Sequence, residues 1–277
     1  RITEVKKKTK KTYSPALYDL TALQREANQR YGYSAKETLN IMQRLYENHK
    51  VLTYPRTDSR YLTTDMTGTL KERLKACAVG PYRKAASRLS MQEIKADKSF
   101  VNNAKVSDHH AIIPTEQFVQ LEHMSSDERK IYDLVVRRFL AVLSPDCEYE
   151  EISLTGMIGN ETFRAKGSQI LKAGWREIYD ADWEDIEDED APDNGGSTGS
   201  SSLTGTTWPD IREGSELPVT SLSITEGKTK PQAYFTEGTL IAAMENPARY
   251  MQHKDQTLAR TLGETGGLGT VATRADI

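Results

Sequence analysis

The chain has few cysteines and no long apolar segment. Its 277 residues include only two cysteines, Cys77 and Cys147, and the mean hydropathy is −0.64. Two cysteines so far apart lack the ligand spacing of a zinc site, and we expect each to be a small buried thiol. No apolar run approaches the roughly 20 residues that span a membrane, and no secretory signal is visible. We therefore expect a cytoplasmic protein that makes no membrane contact.

The chain also lacks an overall excess of positive charge, since its formal net charge is −3. The acidic residues are concentrated, because nine of them and no basic residue lie between Asp180 and Asp193. Without these nine charges the remainder would carry +6. A Gly- and Ser-rich stretch follows, and this composition predicts a mobile loop over residues 184–206. The alternative is an acidic mimic of DNA that folds back on a basic groove.

Two kinds of sequence pattern divide the chain. Apolar periodicity and capping residues predict helices at 19–31, 34–48, 64–78, 82–89, 125–143, 236–246 and 255–262. The second of these helices carries Leu39, Met42, Leu45 and Tyr46 on its apolar face. Alternation at 151–158 and the Gly159-Asn160 turn predict a hairpin with 162–165, and 217–222 is a further strand candidate. The basic run 6–11, taken alone, is typical of a solvated linker.

The octapeptide from Leu52 to Ser59 combines a phenol, a guanidinium, a hydroxyl and a carboxylate. A phenol is a weak nucleophile near pH 7, because its unperturbed pKa is about 10. A neighbouring arginine can favour the phenolate and also hold a phosphate oxygen. The cluster of Tyr54 and Arg56 therefore suits covalent phosphodiester chemistry. The alternative is a strand-end Tyr54 packed on Pro55, with Arg56 and Asp58 as a surface ion pair.

A series of segments carries a resemblance to a known family. They are Leu17 to Asn28, Gln43 to Glu47, Thr53 to Leu62, Asp108 to Thr115, Tyr234 to Ile241 and Gly267 to Ala275. In this order, from about residue 16 to the end, they resemble the type IA DNA topoisomerases. A single segment would not be specific, but the ordered set is.

The resemblance implies an α+β fold, a fragment of a multidomain toroid. Residues 12–146 match the helical domain that carries the nucleophile. Residues 1–11 and 147–226 match a β-arch domain, and 227–277 match the start of a further helical, DNA-binding domain. The chain begins at Arg1 without Met and stops in what reads as the first turn of a helix. We therefore expect a piece of a longer protein.

The resemblance also implies roles for individual residues. Tyr54 would attack a DNA phosphodiester to form a 5′-phosphotyrosyl bond, with Arg56 as its electrophilic partner and His109 as the active-site histidine. His110 is expected to be a structural hydrogen-bonding residue. The resemblance suggests that Thr270, Thr273 and Arg274 line a groove for single-stranded DNA. Gln43 and Arg44 are further candidates for contact with that strand, with a solvated helix face as the alternative. Thr57 and Asp58 are also counted among the DNA-binding candidates, and we expect them mainly to orient Arg56 and the loop. Val271 departs from the family's usual proline, which puts the stiffness of its loop in doubt.

The family's metal-binding Toprim domain, with clustered carboxylates and a catalytic lysine, would precede residue 1. We therefore expect Mg²⁺ to bind only in the full-length enzyme, with no metal ligands in this fragment and no use of ATP. The fragment alone is predicted to be inactive. The expected partner is single-stranded DNA, the expected state is a monomer, and the implied location is the bacterial cytoplasm at the nucleoid.

Two other functions compete with this interpretation. The first is a non-catalytic module that binds single-stranded DNA. The second is a tyrosine recombinase, which also uses tyrosine and arginine. That family places its tyrosine after its arginine and histidine residues, whereas Tyr54 precedes His109 here. The order therefore argues against a recombinase.

Overall fold

The computed structural model describes residues 1–94, 96–179, 210–229, 231–251 and 256–277. The predicted loop at 184–206 lies outside these ranges. The chain divides into two compact units, one made of Arg1–Ser14 with Pro145–Gln232 and the other of Pro15–Ser144 with Ala233–Ile277. The α+β fold class is confirmed, because a three-stranded sheet and helices are both present.

The first unit is built on an antiparallel sheet in the order β1-β2-β3. Its strands are β1 (Ile2–Thr12), β2 (Cys147–Ile158) and β3 (Glu161–Lys172). The interpretation of residues 6–11 as a linker is wrong, since they lie in β1 and pair with 148–153 of β2. The physical reason is complementary charge, because β2 opposes the lysines with glutamates. Lys10, for example, lies 2.8 Å from Glu151.

The strand expected at 217–222 is not formed. These residues have no regular secondary structure and are exposed, with Leu217 at 51% and Leu222 at 72% of full exposure. A strand requires a partner for its backbone groups. The contact nearest in sequence is made by Gly214 and Ser215, which exchange backbone hydrogen bonds with Ile2.

The second unit is helical. Its helices are α1 (Leu20–Tyr31), α2 (Ala35–Glu47), α3 (Leu70–Ala76), α4 (Arg83–Ser90), α5 (Ser126–Val142), α6 (Glu237–Glu245) and α7 (Gln256–Glu264). Ser34 and Ser125 cap α2 and α5 in reciprocal capping boxes, as predicted. Thr64–Thr69 forms a 3₁₀ helix before α3, so the predicted helix at 64–78 is divided.

Helix α6 belongs to the same unit as α1 and α2. The Gly238 amide donates to Asn28 on α1 over 3.1 Å, and the Ala35 amide donates to the Glu237 carboxylate over 2.7 Å. The separate domain expected at 227–277 remains a prediction, as do the other domain boundaries.

A buried ionic cluster joins α1 to α5. The Tyr18 hydroxyl donates to Glu26, and Arg138 on α5 donates to the same carboxylate over 2.6 Å. Arg30 donates to the other carboxylate oxygen over 2.8 Å. The Arg138 guanidinium also lies over the Tyr18 ring, 4.2 Å from its centroid. Because the Glu26 side chain is only 5% exposed, each charge depends on its partners.

We predict that Glu26→Gln strongly destabilises the fold, by about 3 kcal/mol or more, because it leaves Arg30 and Arg138 facing a neutral amide in a buried site. Urea unfolding followed by circular dichroism measures the change. The control is Asp276→Asn, which breaks an ion pair to Lys36 whose side chains are 67% and 61% exposed. That change should be much smaller. Equal losses in both variants would contradict the importance of the buried cluster.

Candidate active site

Two segments that are distant in sequence run side by side. We name them the Tyr54 loop (residues 51–61) and the His109 loop (residues 106–115). The Thr53 amide donates to Ile113 over 3.0 Å, and the Ile113 amide donates back to the Thr53 hydroxyl over 3.0 Å. At the other end, the Ala111 amide donates to Tyr61 over 2.9 Å. The Tyr54 loop is therefore fixed on both sides of its tyrosine.

The Tyr54 side chain is half-buried and lies between two rings. The His109 ring centroid is 4.4 Å from that of Tyr54, at an interplanar angle of 41°. The Tyr46 ring meets Tyr54 edge-on, with centroids 5.5 Å apart at 78°. The structure therefore brings together Tyr54 and His109, as the resemblance implies.

Tyr46 is a site residue that the sequence analysis missed. Its place on the apolar face of α2 suggested burial, but it is 38% exposed and contacts Tyr54. The available signal was its position in the last turn of α2, shortly before the Tyr54 loop begins.

Arg56 lies at the exposed tip of the Tyr54 loop. The chain turns tightly around it, since the Thr57 amide donates to the Pro55 carbonyl over 3.0 Å. Within the part of the chain that the structure describes, neither Arg56 nor the exposed Asp58 forms an ion pair. The surface pair of the alternative interpretation is thus not formed, and the Arg56 guanidinium is open to an anion.

Thr57 is 2% exposed and connects three segments. Its hydroxyl donates to the His109 carbonyl over 3.0 Å and accepts from the Ser59 amide over 3.1 Å. Its carbonyl accepts from the Leu20 amide at the start of α1 over 3.0 Å. These contacts show how Thr57 positions the loop, while its contact with DNA stays a prediction.

The two adjacent histidines have different environments. His109 is exposed, whereas His110 is half-buried with Nδ1 2.8 Å from the Ala111 carbonyl oxygen. Burial lowers the pKa of His110, because it penalises the charged imidazolium. The neutral form of His110 suits a structural hydrogen bond, and Asp108 is exposed beside the pair.

Helix α2 places Gln43 and Arg44 differently. Gln43 is half-buried, and Arg44 is exposed but bound to Glu128 at the start of α5 over 2.9 Å. His49 approaches the same carboxylate at 3.3 Å. Burial opposes ionisation of Glu128, but hydrogen bonds from Ser125 and Arg44 outweigh it and lower the pKa. Arg44 thus already serves to join two helices.

The glycine-rich segment near the end of the chain is organised by Arg274. This side chain is 5% exposed, and it donates to the Leu268 carbonyl over 3.1 Å and to the Gly266 carbonyl. It also lies 3.3 Å from Thr21 on α1. Thr270 and Thr273 are exposed, with their hydroxyl oxygens 3.0 Å apart. Arg274 is therefore turned inward, while the two threonines face solvent.

Within the described residues, no group of three or more His, Cys, Asp or Glu side chains could hold a metal ion. The same part of the chain contains no helix with the length and apolarity needed to cross a membrane. The acidic run from Asp180 lies outside the described residues. The described residues therefore offer no cluster that fits Mg²⁺, whose ligands the family resemblance assigns to residues outside this chain.

We predict that Thr57→Val loosens the His109 loop, because the buried hydroxyl that joins it to the Tyr54 loop is lost. A stability loss of about 1–3 kcal/mol is expected for the unpaired His109 carbonyl and Ser59 amide. Hydrogen exchange of amides 106–112 should accelerate. Thr57→Ser keeps the hydroxyl and is the control. Unchanged exchange in Thr57→Val would show that the hydroxyl does not hold the loops together.

Comparison with known proteins agrees with the motifs. A family model described as DNA topoisomerase matches residues 1–277. The chain is 57% identical over 276 residues to a DNA topoisomerase 3 of Bacillus cereus and 53% identical to that of Bacillus subtilis (strain 168). Each alignment covers 100% of this chain and 36% of the relative. The chain thus spans just over a third of the length of these relatives.

A solved structure of full-length topoisomerase I from Thermotoga maritima has the same fold. Its TM-score is 0.58 at 22% sequence identity, and the match covers 99% of this chain and 39% of that one. The family model matches the whole chain, and the Bacillus proteins are more than half identical to it. The shared fold agrees with both findings. The chain belongs to the type IA DNA topoisomerase family.

Proposed function

We propose that this chain carries the nucleophile of an ATP-independent DNA topoisomerase that cuts one strand, passes another through and reseals the cut. The observation that carries the proposal is the arrangement around Tyr54. Its ring lies 4.4 Å from that of His109 on a loop fixed by hydrogen bonds, and Arg56 stands exposed two residues away.

In the proposed step, the Tyr54 phenol oxygen attacks the phosphorus of a DNA phosphodiester. A bond forms between this oxygen and phosphorus, and the bond from phosphorus to the 3′ oxygen of the neighbouring nucleotide breaks. The phenol loses its proton, and the departing 3′ oxygen gains one. The product is a 5′-phosphotyrosyl ester and a free 3′-hydroxyl. Since one phosphoester replaces another, the reverse attack reseals the strand without ATP.

Arg56 and His109 supply the groups that this step needs. The exposed Arg56 guanidinium can hold the non-bridging phosphate oxygens with charge-assisted hydrogen bonds, which are strongest where negative charge grows in the transition state. His109 lies against the Tyr54 ring and is exposed, so it can donate to the same phosphate or relay a proton.

The contacts to single-stranded DNA are proposed for Gln43, Arg44, Thr57, Asp58, Thr270, Thr273 and Arg274. The exposed hydroxyls of Thr270 and Thr273 are suited to direct phosphate contacts. Arg274 is buried, so it would act by shaping the loop that carries them, and a direct contact requires it to leave Leu268. Arg44 would have to share its guanidinium with Glu128.

We propose that the ligands of the magnesium ion lie outside this chain. When bound, Mg²⁺ would neutralise phosphate charge in the full-length enzyme, with ligands from the Toprim domain that we expect before residue 1. This chain alone would therefore hold half of an active site and be inactive. The full-length protein is proposed to be a monomer in the bacterial cytoplasm.

The second candidate function is a non-catalytic module that binds single-stranded DNA. It is favoured for the isolated chain by its length, which is just over a third of the relatives' length. A module of this kind would need the exposed cations and hydroxyls but not the Tyr54 hydroxyl.

We predict that Arg56→Ala in the full-length protein slows formation of the covalent adduct about a hundredfold, as expected when one donor to a growing charge is removed. Arg56→Lys should retain part of the rate, because it keeps the charge but loses the planar fork. Arg129→Ala is the control, since Arg129 is an exposed arginine on α5. Adduct formation at a near-normal rate in Arg56→Ala would remove Arg56 from the mechanism.

Covalent trapping on a labelled single-stranded oligonucleotide, followed by denaturation, tests the proposed function. The proteins compared are this 277-residue chain, the full-length protein and full-length Tyr54→Phe. We expect an adduct only in the full-length protein with Tyr54 intact. An adduct that still forms with Tyr54→Phe would show that Tyr54 is not the nucleophile. No adduct in any form, with DNA binding retained, would favour the binding module.

A further inference from the structure

The Tyr46 side chain takes little part in the core of the helical unit. Helix α2 packs into that core through its buried apolar residues, which include Leu39, Met42 and Leu45, whereas Tyr46 is 38% exposed. Within the part of the chain that the structure describes, the Tyr46 hydroxyl forms no hydrogen bond, and the ring contact of this side chain is with Tyr54. The position of Tyr46 is therefore explained by the site better than by the core.

A short reversal of the chain brings the two tyrosines together. Lys50 turns the backbone with φ = 56°, a left-handed conformation that residues with a Cβ atom rarely adopt. The Val51 amide then donates to the Leu45 carbonyl in the last turn of α2 over 3.0 Å. From the His109 loop, Thr115 donates its amide to the Val51 carbonyl over 3.0 Å and its hydroxyl to the Lys50 carbonyl over 2.6 Å. The end of α2 and the start of the Tyr54 loop are therefore held side by side.

Two rings restrict the orientation of the Tyr54 ring. The Tyr46 ring meets it nearly at a right angle, at 78° with centroids 5.5 Å apart, which is a favourable edge-to-face geometry. The His109 ring lies closer, at 4.4 Å, and is tilted by 41°. Rotation of the Tyr54 ring about its side-chain bonds would break one or both of these contacts.

The orientation of this ring matters for the proposed step. The phenol oxygen must approach phosphorus from the side opposite the departing 3′ oxygen, and it lies at the far end of a side chain with two rotatable bonds. A small rotation of the ring therefore displaces the attacking oxygen. Loss of alignment in such a step lowers the rate for bound substrate without weakening substrate binding.

We propose that Tyr46 is a positioning residue, whose ring holds the Tyr54 ring in the orientation required for attack on phosphorus. This role rests on the proposed function of Tyr54 and deepens it. The aromatic ring carries the role. The hydroxyl of Tyr46 is not needed, and Tyr46 neither takes the proton of the phenol nor touches the phosphate.

The alternative role for an exposed aromatic side chain beside the site is stacking on a DNA base. The two roles predict different kinetics, because a lost stacking contact weakens DNA binding, whereas a lost positioning contact lowers the rate at saturating DNA. The proposal is supported by the contact with Tyr54, which already engages the Tyr46 ring in the protein without DNA.

The test uses the full-length protein with Tyr46→Leu and Tyr46→Phe. Leucine favours a helix and keeps an apolar side chain but has no ring, whereas phenylalanine keeps the ring without the hydroxyl. The matched control is Tyr179→Leu, because Tyr179 forms an edge-on pair with Trp175 in the other unit, at 5.9 Å and 84°. Thermal unfolding establishes that each variant is folded.

Two quantities are measured with a labelled single-stranded oligonucleotide. The first is the single-turnover rate of covalent adduct formation at saturating oligonucleotide, in the presence of Mg²⁺. The second is the affinity for the same oligonucleotide by fluorescence anisotropy. The affinity is measured with Tyr54→Phe added to each protein, which prevents cleavage but keeps the ring at position 54.

Tyr46→Leu should lower the maximal rate about three- to tenfold, the range expected for loss of one aromatic pair. Its affinity for the oligonucleotide should change by less than about twofold, since the lost contact is with the nucleophile and not with the substrate. Tyr46→Phe and Tyr179→Leu should both react at close to the wild-type rate.

Three results would overturn the proposal. A wild-type rate in Tyr46→Leu would show that the ring does not position Tyr54. Weaker DNA binding with an unchanged maximal rate would assign Tyr46 to the substrate instead. A rate in Tyr46→Phe as low as that in Tyr46→Leu would assign the role to the hydroxyl.

Failure of this role is distinguishable from failure of the proposed function. If the wild-type protein forms no adduct, or if an adduct still forms with Tyr54→Phe, the proposed function fails and the role of Tyr46 fails with it. If the adduct depends on Tyr54 but Tyr46→Leu reacts like wild type, only the role of Tyr46 is rejected.

Discussion

Two threonine hydroxyls, on either side of Tyr54, provide the contacts on which the candidate site depends. Thr53 bonds to Ala111 and Ile113, and Thr57 bonds to His109, across 52 to 60 residues of sequence. Each hydroxyl satisfies backbone groups that irregular loops would otherwise leave unpaired. A loop that carries a reactive side chain must stay exposed at its tip. Fixing its two flanks by partly buried hydrogen bonds allows this exposure without loss of geometry.

The same loop is tied to the helical core through the start of α1. The Leu20 amide binds the Thr57 carbonyl, and Asp19, which caps α1, lies 2.6 Å from Arg60. Next in sequence, Tyr18 enters the buried cluster of Glu26 and Arg138. The amino end of α1 therefore connects the Tyr54 loop to the buried cluster of the helical core. Its capping residue acts on the helix and on the loop together.

The sequence predicted features that depend on neighbouring residues better than those that depend on contacts between distant segments. The caps Ser34 and Ser125 predicted the starts of α2 and α5, because a capping box involves only residues three apart. The lysine-rich run of β1, taken alone, is typical of a linker and does not predict a strand, since the Glu151 partner of its Lys10 lies 141 residues away. The exposure of Tyr46 and the burial of Arg274 likewise depend on packing between distant segments. Motif resemblance located Tyr54 and His109, but only the fold gives the contact between their rings.

A guanidinium can hold an external anion only when it is not already bound to acceptors within the protein. The arginines of this chain fall into two groups by this criterion. Arg138 and Arg274 are held by internal acceptors, so removing either group would disturb the protein before any ligand. Arg56 and Arg164 are exposed, and neither is held by a described carboxylate. Overall charge does not reveal this difference, because it counts committed and uncommitted cations alike. An acidic protein can therefore still present a cation to a polyanion where the fold leaves that cation unpaired, as it leaves Arg56 at the tip of the Tyr54 loop.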